Sequence, residues 1–259
     1  MSFFNKMLAK VGIGSAEIDT LLEKVSYVPG ETVKGVVRIQ GGHVDQEIER
    51  IYIQLMTRYI REQNDRKSEY KHTLACFDVS DRLLLRSGEK IEIPFSFPLP
   101  LETPVTYDGQ PVWLSTGLDI EMAIDPTDHD AIKVEPHFYM DAVFEAVEYL
   151  GFHFKSSTCE HATKLGRGVP FVQEFEYYPS SRFAGRVHEL ELMMNLDEEG
   201  IHVLVEVDRR ARGLMGFFEQ AFDLDERHIR LYFDRADIAQ GASHIAEQIE
   251  RVIEEQTRH

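Results

Sequence analysis

Apolar and polar residues alternate in short runs through the first half of the chain. Val33, Gly35, Val37 and Ile39 fall on one side of such a run, with Lys34, Arg38 and Gln40 on the other. Ile18, Thr20 and Leu22 repeat the pattern, as do Ile51, Ile53 and Leu55, then Ile91, Ile93, Phe95 and Phe97, and later Leu118, Ile120, Met122 and Ile124. A period of two is that of a strand with one buried face. Between the first two runs, Val28-Pro29-Gly30-Glu31 predicts a tight turn, because proline presets φ and glycine accepts a positive one. Gly41-Gly42 ends the next run. Repeated strands, with no helical pattern between Gly14 and Pro126, predict an antiparallel β-sandwich. The proline-rich stretch from Phe97 to Pro104 must lie at an edge or crossover, since proline has no N–H to donate to a sheet.

The texture changes at Asp125-Pro126-Thr127-Asp128-His129-Asp130, which reads as an acidic interdomain turn with side chains capping backbone groups. Two domains follow from this reading, 1–130 and 131–259. After the junction, Tyr139, Ala142, Val143, Ala146, Val147 and Leu150 recur at helical spacing, with Asp141, Glu145 and Glu148 on the other face and Gly151 as the stop. This predicts a helix near 137–150. Strands resume with Leu190, Leu192, Met194 and Leu196 facing one way and Glu191, Met193 and Asn195 the other. Asp197-Glu198-Glu199-Gly200 closes a hairpin onto Ile201, Val203, Val205 and Val207, and Ile229, Leu231 and Phe233 suggest one more strand. A last helix near 242–258 carries the stripe Ile245, Ile249, Val252 and Ile253. The expected fold is mainly β, a sandwich followed by a smaller β-rich domain with flanking helices.

Charge narrows the partners. The chain of 259 residues has 45 acidic and 28 basic side chains, for a formal charge of −17. Residues 1–130 carry 14 basic and 21 acidic groups and residues 131–259 carry 14 and 24, so neither half is a hidden basic module. Nucleic acid is therefore excluded as a general partner, because phosphate contacts need a basic surface. No apolar run approaches the roughly 18 residues needed to span a bilayer. Cys76 and Cys159 have no C-x-x-C spacing and read as two buried thiols of a cytoplasmic protein.

The search for catalytic chemistry returns mostly negatives. There is no nucleophile elbow, H-E-x-x-H, P-loop or complete dinucleotide fingerprint. Asp125, Asp128, His129 and Asp130 lack the spacing, glycine and distal glutamate of a calcium loop. Cys159-Glu160-His161 supplies half a zinc site at most. The histidines are scattered. No catalytic residue, cofactor or metal is expected.

Interaction features are clearer. Phe3, Phe4, Met7, Leu8 and Val11 make one helical face of an N-terminal segment whose only charges are Lys6 and Lys10. It suits either a membrane surface or docking on its own sandwich or a second subunit. Leu214, Met215, Phe217 and Phe218 follow three arginines in a glycine-containing loop, which covers either the domain's own core or a protein partner. Arg58, Arg61, Arg66 and Lys67 form a locally basic stretch, read as a solvated strand-and-loop face or as an anion or lipid-headgroup patch.

Tyr27-Val28-Pro29-Gly30-Glu31-Thr32-Val33-Lys34-Gly35-Val36-Val37 resembles the early strand-turn-strand of arrestin-fold proteins. Leu85-Arg86-Ser87-Gly88 through Ile93-Pro94-Phe95-Ser96-Phe97-Pro98-Leu99-Pro100 resembles their later strand and proline-rich exit, and Trp113 to Met122 the returning strand. With the opening Met1-Ser2-Phe3-Phe4-Asn5-Lys6 and the Asp125–Asp128 junction, nearly the whole chain resembles the bacterial sporulation-control family of SpoOM type. The resemblance implies an arrestin-like first domain in a cytoplasmic regulatory protein, an adaptor or scaffold without an active site. It also implies a buried charged network, with Arg38, Arg58, Asp119 and Glu121 as candidate members. The expected partners are proteins, a second copy of the chain among them, with weak peripheral membrane contact as the alternative and a hydrolase or metal enzyme as a lesser one.

Overall fold

The computed structural model describes residues 16–64, 66–120, 125–180, 182–208 and 229–258. The protein is mainly β and divides into two compact units, each discontinuous in sequence. The first comprises 1–57, 71–103 and 111–135; the second comprises 58–70, 104–110 and 136–259. The chain passes to the second unit for good at Glu135/Pro136 rather than after residue 130. Two segments of the expected first domain, 58–70 and 104–110, belong with the second.

The first unit has two main layers. One is a three-stranded antiparallel sheet of β1 (Glu17–Leu22), β3 (Thr32–Gln40) and β7 (Lys90–Pro98), in the order β1-β3-β7. The other is built on β4 (Gln46–Gln63), which pairs with β5 (Arg66–Ser80), β6 (Leu83–Leu85) and β8 (Val112–Ile120); β8 pairs in turn with β9 (Thr127–Ala131). A short parallel pair joins β2 (Ser26–Tyr27) to β10 (Lys133–Val134). The expected alternation is realised in β3, where Val33, Val37 and Ile39 are buried while Lys34, Arg38 and Gln40 are exposed. Ile51, Ile53 and Leu55 of β4, with Leu114 and Leu118 of β8, complete the interior. Thr20 Oγ1 donates to Thr116 Oγ1 at 2.7 Å inside it.

Local chemistry places the turns. Gly30 has φ +86° behind Pro29, and Glu31 N–H donates to Val28 C=O at 2.9 Å. Gly35 is required for close approach: a Cβ there would lie 2.4 Å from Leu21 O and 2.6 Å from the Phe95 ring. The proline-rich exit leaves β7, an edge strand, as proline requires. The acidic stretch after Asp125 departs from expectation, because Thr127–Ala131 is a strand rather than a turn. Its carboxylates do take backbone donors. Asp125 accepts from Ile120 N–H at 2.9 Å, and Asp128 accepts from Thr20 N–H at 2.7 Å and from His129 N–H at 2.9 Å.

The second unit is an antiparallel run of β11 (Phe152–His161), β12 (Phe171–Pro179), β13 (Glu189–Leu196), β14 (Gly200–Asp208) and β15 (Ile229–Asp234). Helix α1 (Phe138–Tyr149) and helix α3 (Ala242–Thr257) pack together and on one sheet face, with short α2 (Arg235–Ala239) between β15 and α3. Their apolar stripes are Val143, Phe144, Ala146 and Val147, and Ile245, Ile249, Val252 and Ile253, all buried. Phe144 meets Phe175 edge-on at 5.0 Å, and Gln256 accepts from Val207 N–H at 3.1 Å. Segment 104–110 belongs to this layer: Val105 and the Gln173 amide exchange hydrogen bonds of 2.9 and 2.8 Å, and the Tyr107 ring lies 5.6 Å from Phe144.

Two sequence expectations fail in β13 and in the cysteines. Glu191 and Met193 are buried, not solvent-facing, because the opposite sheet face is covered too. Leu165 packs there on Ala162, Val172, Met193 and Leu204. Cys159 is buried but Cys76 is exposed on β5, beside Arg50 at 3.4 Å, and both thiols are free.

Candidate functional site

Strand β4 leads into Asn64, whose φ of +51° is one that asparagine tolerates. Strand alternation then divides the basic stretch, because residues of opposite parity on one strand face opposite ways. Arg58 pairs with Glu69 at 3.0 Å and Lys67 with Glu160 at 3.8 Å. Arg61 and Arg66 instead line a hollow of ≈ 460 Å³ with Gln63, Asn64, Ser68 and Tyr70. With its amide oxygen turned to the guanidinium, Gln63 accepts from Arg61 Nε at 3.2 Å and Nη2 at 2.8 Å. Tyr70 stacks on Tyr59 at 5.7 Å, and Tyr59 stacks in turn on Phe171 at 5.6 Å and His161 at 6.0 Å. Burial, and next the Arg61 charge, push the His161 pKa down.

A second charged cluster occupies the helix-free face of β11 to β14. Glu176 lies directly opposite Glu191, and Glu191 directly opposite Glu206. Directly opposed side chains share a face, and like charges there repel. Glu174, one pleat along, is completely buried, as are Glu176 and Glu191 to within 7 %. Two devices make this tolerable. The first is a bulge in β11 between Phe154 and Ser156, which leaves Lys155 out of register. A bulge re-aims a side chain, and here Lys155 Nζ reaches Glu176 at 2.5 Å and Glu189 at 2.7 Å. Burial opposes the Lys155 charge, but the two carboxylate hydrogen bonds outweigh it and raise its pKa.

The second device is protonation of Glu174. No hydrogen-bond partner reaches either Glu174 oxygen, and the Glu191 charge is the strongest that acts on it. A buried carboxyl without a donor and beside a like charge is held in its protonated form. Burial first, and then the Glu191 charge, push the Glu174 pKa up to about 10, and burial raises that of Glu191 as well. Glu174 therefore keeps its proton at neutral pH. A third buried acid, Glu160, is raised by burial against the lowering effect of Lys67. Among the described residues no group of three or more His, Cys, Asp or Glu side chains is arranged to hold a metal ion.

The sequence-expected sites are distributed unevenly. Phe3, Phe4, Met7, Leu8, Val11, Leu214, Met215, Phe217 and Phe218 lie outside the described residues. Arg61 and Arg66 come together, while Arg58 and Lys67 are separated from them. Two described members of the candidate charged network form ion pairs with residues outside it. Arg38 pairs with Glu92 at 2.8 Å on the surface, half-buried Arg58 pairs with Glu69 at 3.0 Å, and Glu121 lies outside the described residues. Lys155, Glu174, Glu176 and Glu191 carry no sequence motif. Their only local trace is an acidic alternation, Gln173-Glu174-Phe175-Glu176, in which the acids look solvent-facing.

No described helix is long and apolar enough to cross a membrane. The architecture is that of a mainly β, two-unit protein with a charged interior on one sheet face and a two-arginine hollow at a hairpin tip. The chain belongs to the family described as SpoOM protein, which matches residues 4–211. It is 42% identical over 256 residues to the sporulation-control protein spo0M of Bacillus subtilis strain 168, covering 98% of this chain and 97% of that protein. A crystal structure of Spo0M, sporulation control protein, from Bacillus subtilis superposes with a TM-score of 0.89 at 40% identity, covering 94% of this chain and 100% of that one.

Proposed function

We propose that the chain is a regulatory adaptor in sporulation control, working in the cytoplasm by binding other proteins rather than by chemical turnover. The observation that carries this reading is the near-full-length likeness to a protein named for sporulation control. The geometry supports it in one place. Strand β15 ends the second unit's sheet, and among the described strands none pairs with its outer edge. An edge strand offers free N–H and C=O groups to an extended partner segment. Tyr232 on that strand is 41% exposed and packs over His202 at 4.7 Å. Leu214, Met215, Phe217 and Phe218, which precede β15 in the chain and lie outside the described residues, are the further partner contacts of the proposal.

The test is complementation. The chain, expressed in Bacillus subtilis lacking its own sporulation-control protein, restores the frequency of spore formation. Folded protein at normal abundance with no restoration sinks the reading. Cross-linking in the same cells captures a defined partner shared with the native protein, and Leu214→Ser with Met215→Ser weakens that capture. Unchanged capture removes the loop from the proposal.

A further inference from the structure

We propose that the tip of the β4–β5 hairpin binds a phosphate-bearing anion between Arg61 and Arg66. The inference is independent of the adaptor reading. It starts from a contrast on one hairpin. Arg58 and Lys67 are each matched to a carboxylate, Glu69 and Glu160. Among the described residues no carboxylate pairs with Arg61 or Arg66, although the chain carries 45 acidic groups. Glu62 and Glu69 stand on the other face of the hairpin by strand alternation.

The hollow is built for an oxyanion. Each guanidinium presents a planar fork of donors that matches two phosphate oxygens at once. Asn64, Ser68 and Tyr70 add an amide, a hydroxyl and a phenol, all able to donate. Two contacts restrict its lining: Gln63 accepts from Arg61, and Tyr70 stacks on Tyr59, which stacks in turn on Phe171. Preorganisation of this kind lowers the entropic cost of binding. A volume of ≈ 460 Å³ exceeds that of a phosphate and leaves room for what the phosphate is attached to. A charge of −17 repels diffuse anions, so binding here depends on directed donors rather than on the overall field.

Phosphate reaches such a hollow either free in solution or on a lipid headgroup, and two arms separate these. In the first, inorganic phosphate is titrated into the full chain while backbone amide resonances are followed. Saturable shifts centred on residues 61–70 are expected, and Arg61→Ala with Arg66→Ala weakens them at least tenfold. In the second, the chain is sedimented with phosphatidylcholine vesicles with and without one fifth phosphatidic acid. Retention that needs phosphatidic acid and both arginines assigns the site to a lipid headgroup; phosphate binding without retention assigns it to a soluble phosphate. The proposal is overturned if neither probe engages residues 61–70, if chloride at equal ionic strength gives the same shifts, or if the double alanine variant binds like wild type. Should that variant fail to fold, Arg61→Lys with Arg66→Lys replaces it; the point charges remain but the forks are gone, so binding weakens. The wild-type shift map stands as a test without any variant.

Discussion

Strand β3 buries Val33, Val37 and Ile39 and leaves Lys34, Arg38 and Gln40 in solvent, whereas β12 buries every residue from Phe171 to Tyr177. Both segments alternate in sequence. In β3 the polar side chains stay hydrated and no counter-charge is needed. In β12 the second face is covered, so Glu174 and Glu176 must be neutralised from within the protein. Lys155 does this for Glu176, and keeping its own proton does it for Glu174. The comparison shows that a carboxylate inside a sheet protein is governed by its cross-strand neighbours rather than by its own strand.

The largest effect expected is from moving a carboxylate to the unit that has no counter-charge for it. Ile53 is completely buried in the first unit, and Ile53→Asp should exceed about 5 kcal/mol, comparable with the whole stability of a domain. Loss of cooperative unfolding and of dispersed amide resonances is expected; a well-folded variant would erase the distinction between the two units. Next comes Lys155→Met, which strands Glu176 and Glu189. About 3 kcal/mol is expected, at the low end for a broken buried pair, because 27% of the Lys155 side chain remains exposed. Urea denaturation at pH 7 measures it, and a cost under about 1 kcal/mol would mean that Lys155 is not the neutralising group.

The buried proton of Glu174 predicts a slope against pH. The folded Glu174 pKa of about 10 lies above its ordinary 4.5, so between these values the folded state holds a proton that the unfolded state releases. That contribution to stability is full below pH 4.5 and is lost as pH rises toward 10. Relative to Glu174→Gln, which is uncharged at every pH, wild type should lose up to about 1.4 kcal/mol per pH unit between pH 5 and 8. Parallel stability curves for the two proteins would mean that Glu174 does not keep its proton in the folded state. The thiols sharpen the same contrast without a change in stability. A thiol reagent modifies exposed Cys76 in the native protein, while Cys159, buried and with its pKa pushed up by burial, reacts only on unfolding. Equal native rates would contradict the burial of β11. The smallest effect is expected from Lys34→Thr on the solvent face of β3, within about 0.5 kcal/mol.

Much of the fold is legible in the chain itself. The β3 and β4 alternations, the Pro29-Gly30 turn and the stripes of α1 and α3 each depend on residues a few positions apart, and each forms where those residues predict it. Strand β12 shows the limit. Phe171, Phe175 and Tyr177 alternate with Val172, Glu174 and Glu176 as a half-exposed strand would, and nothing local says that the acidic side is covered. The Asp125–Asp130 stretch fails for a related reason. Its composition is that of a turn, but pairing with β8 draws Thr127–Ala131 into a strand.

The candidate sites divide in the same way. Sequence alone picked out the basic stretch, because charge density is a local property. It could not separate Arg61 and Arg66 from Arg58 and Lys67, since that depends on which face each occupies and which carboxylate stands nearby. The carboxyl cluster left no motif at all. Its members come from different strands, brought onto one face by register and by one bulge that redirects Lys155. The sequence by itself determined strand faces, turns, helix stripes and family. Tertiary structure alone decided which charges are buried, because burial and electrostatic pairing belong to neighbours in space, and period-two patterning records only one strand at a time.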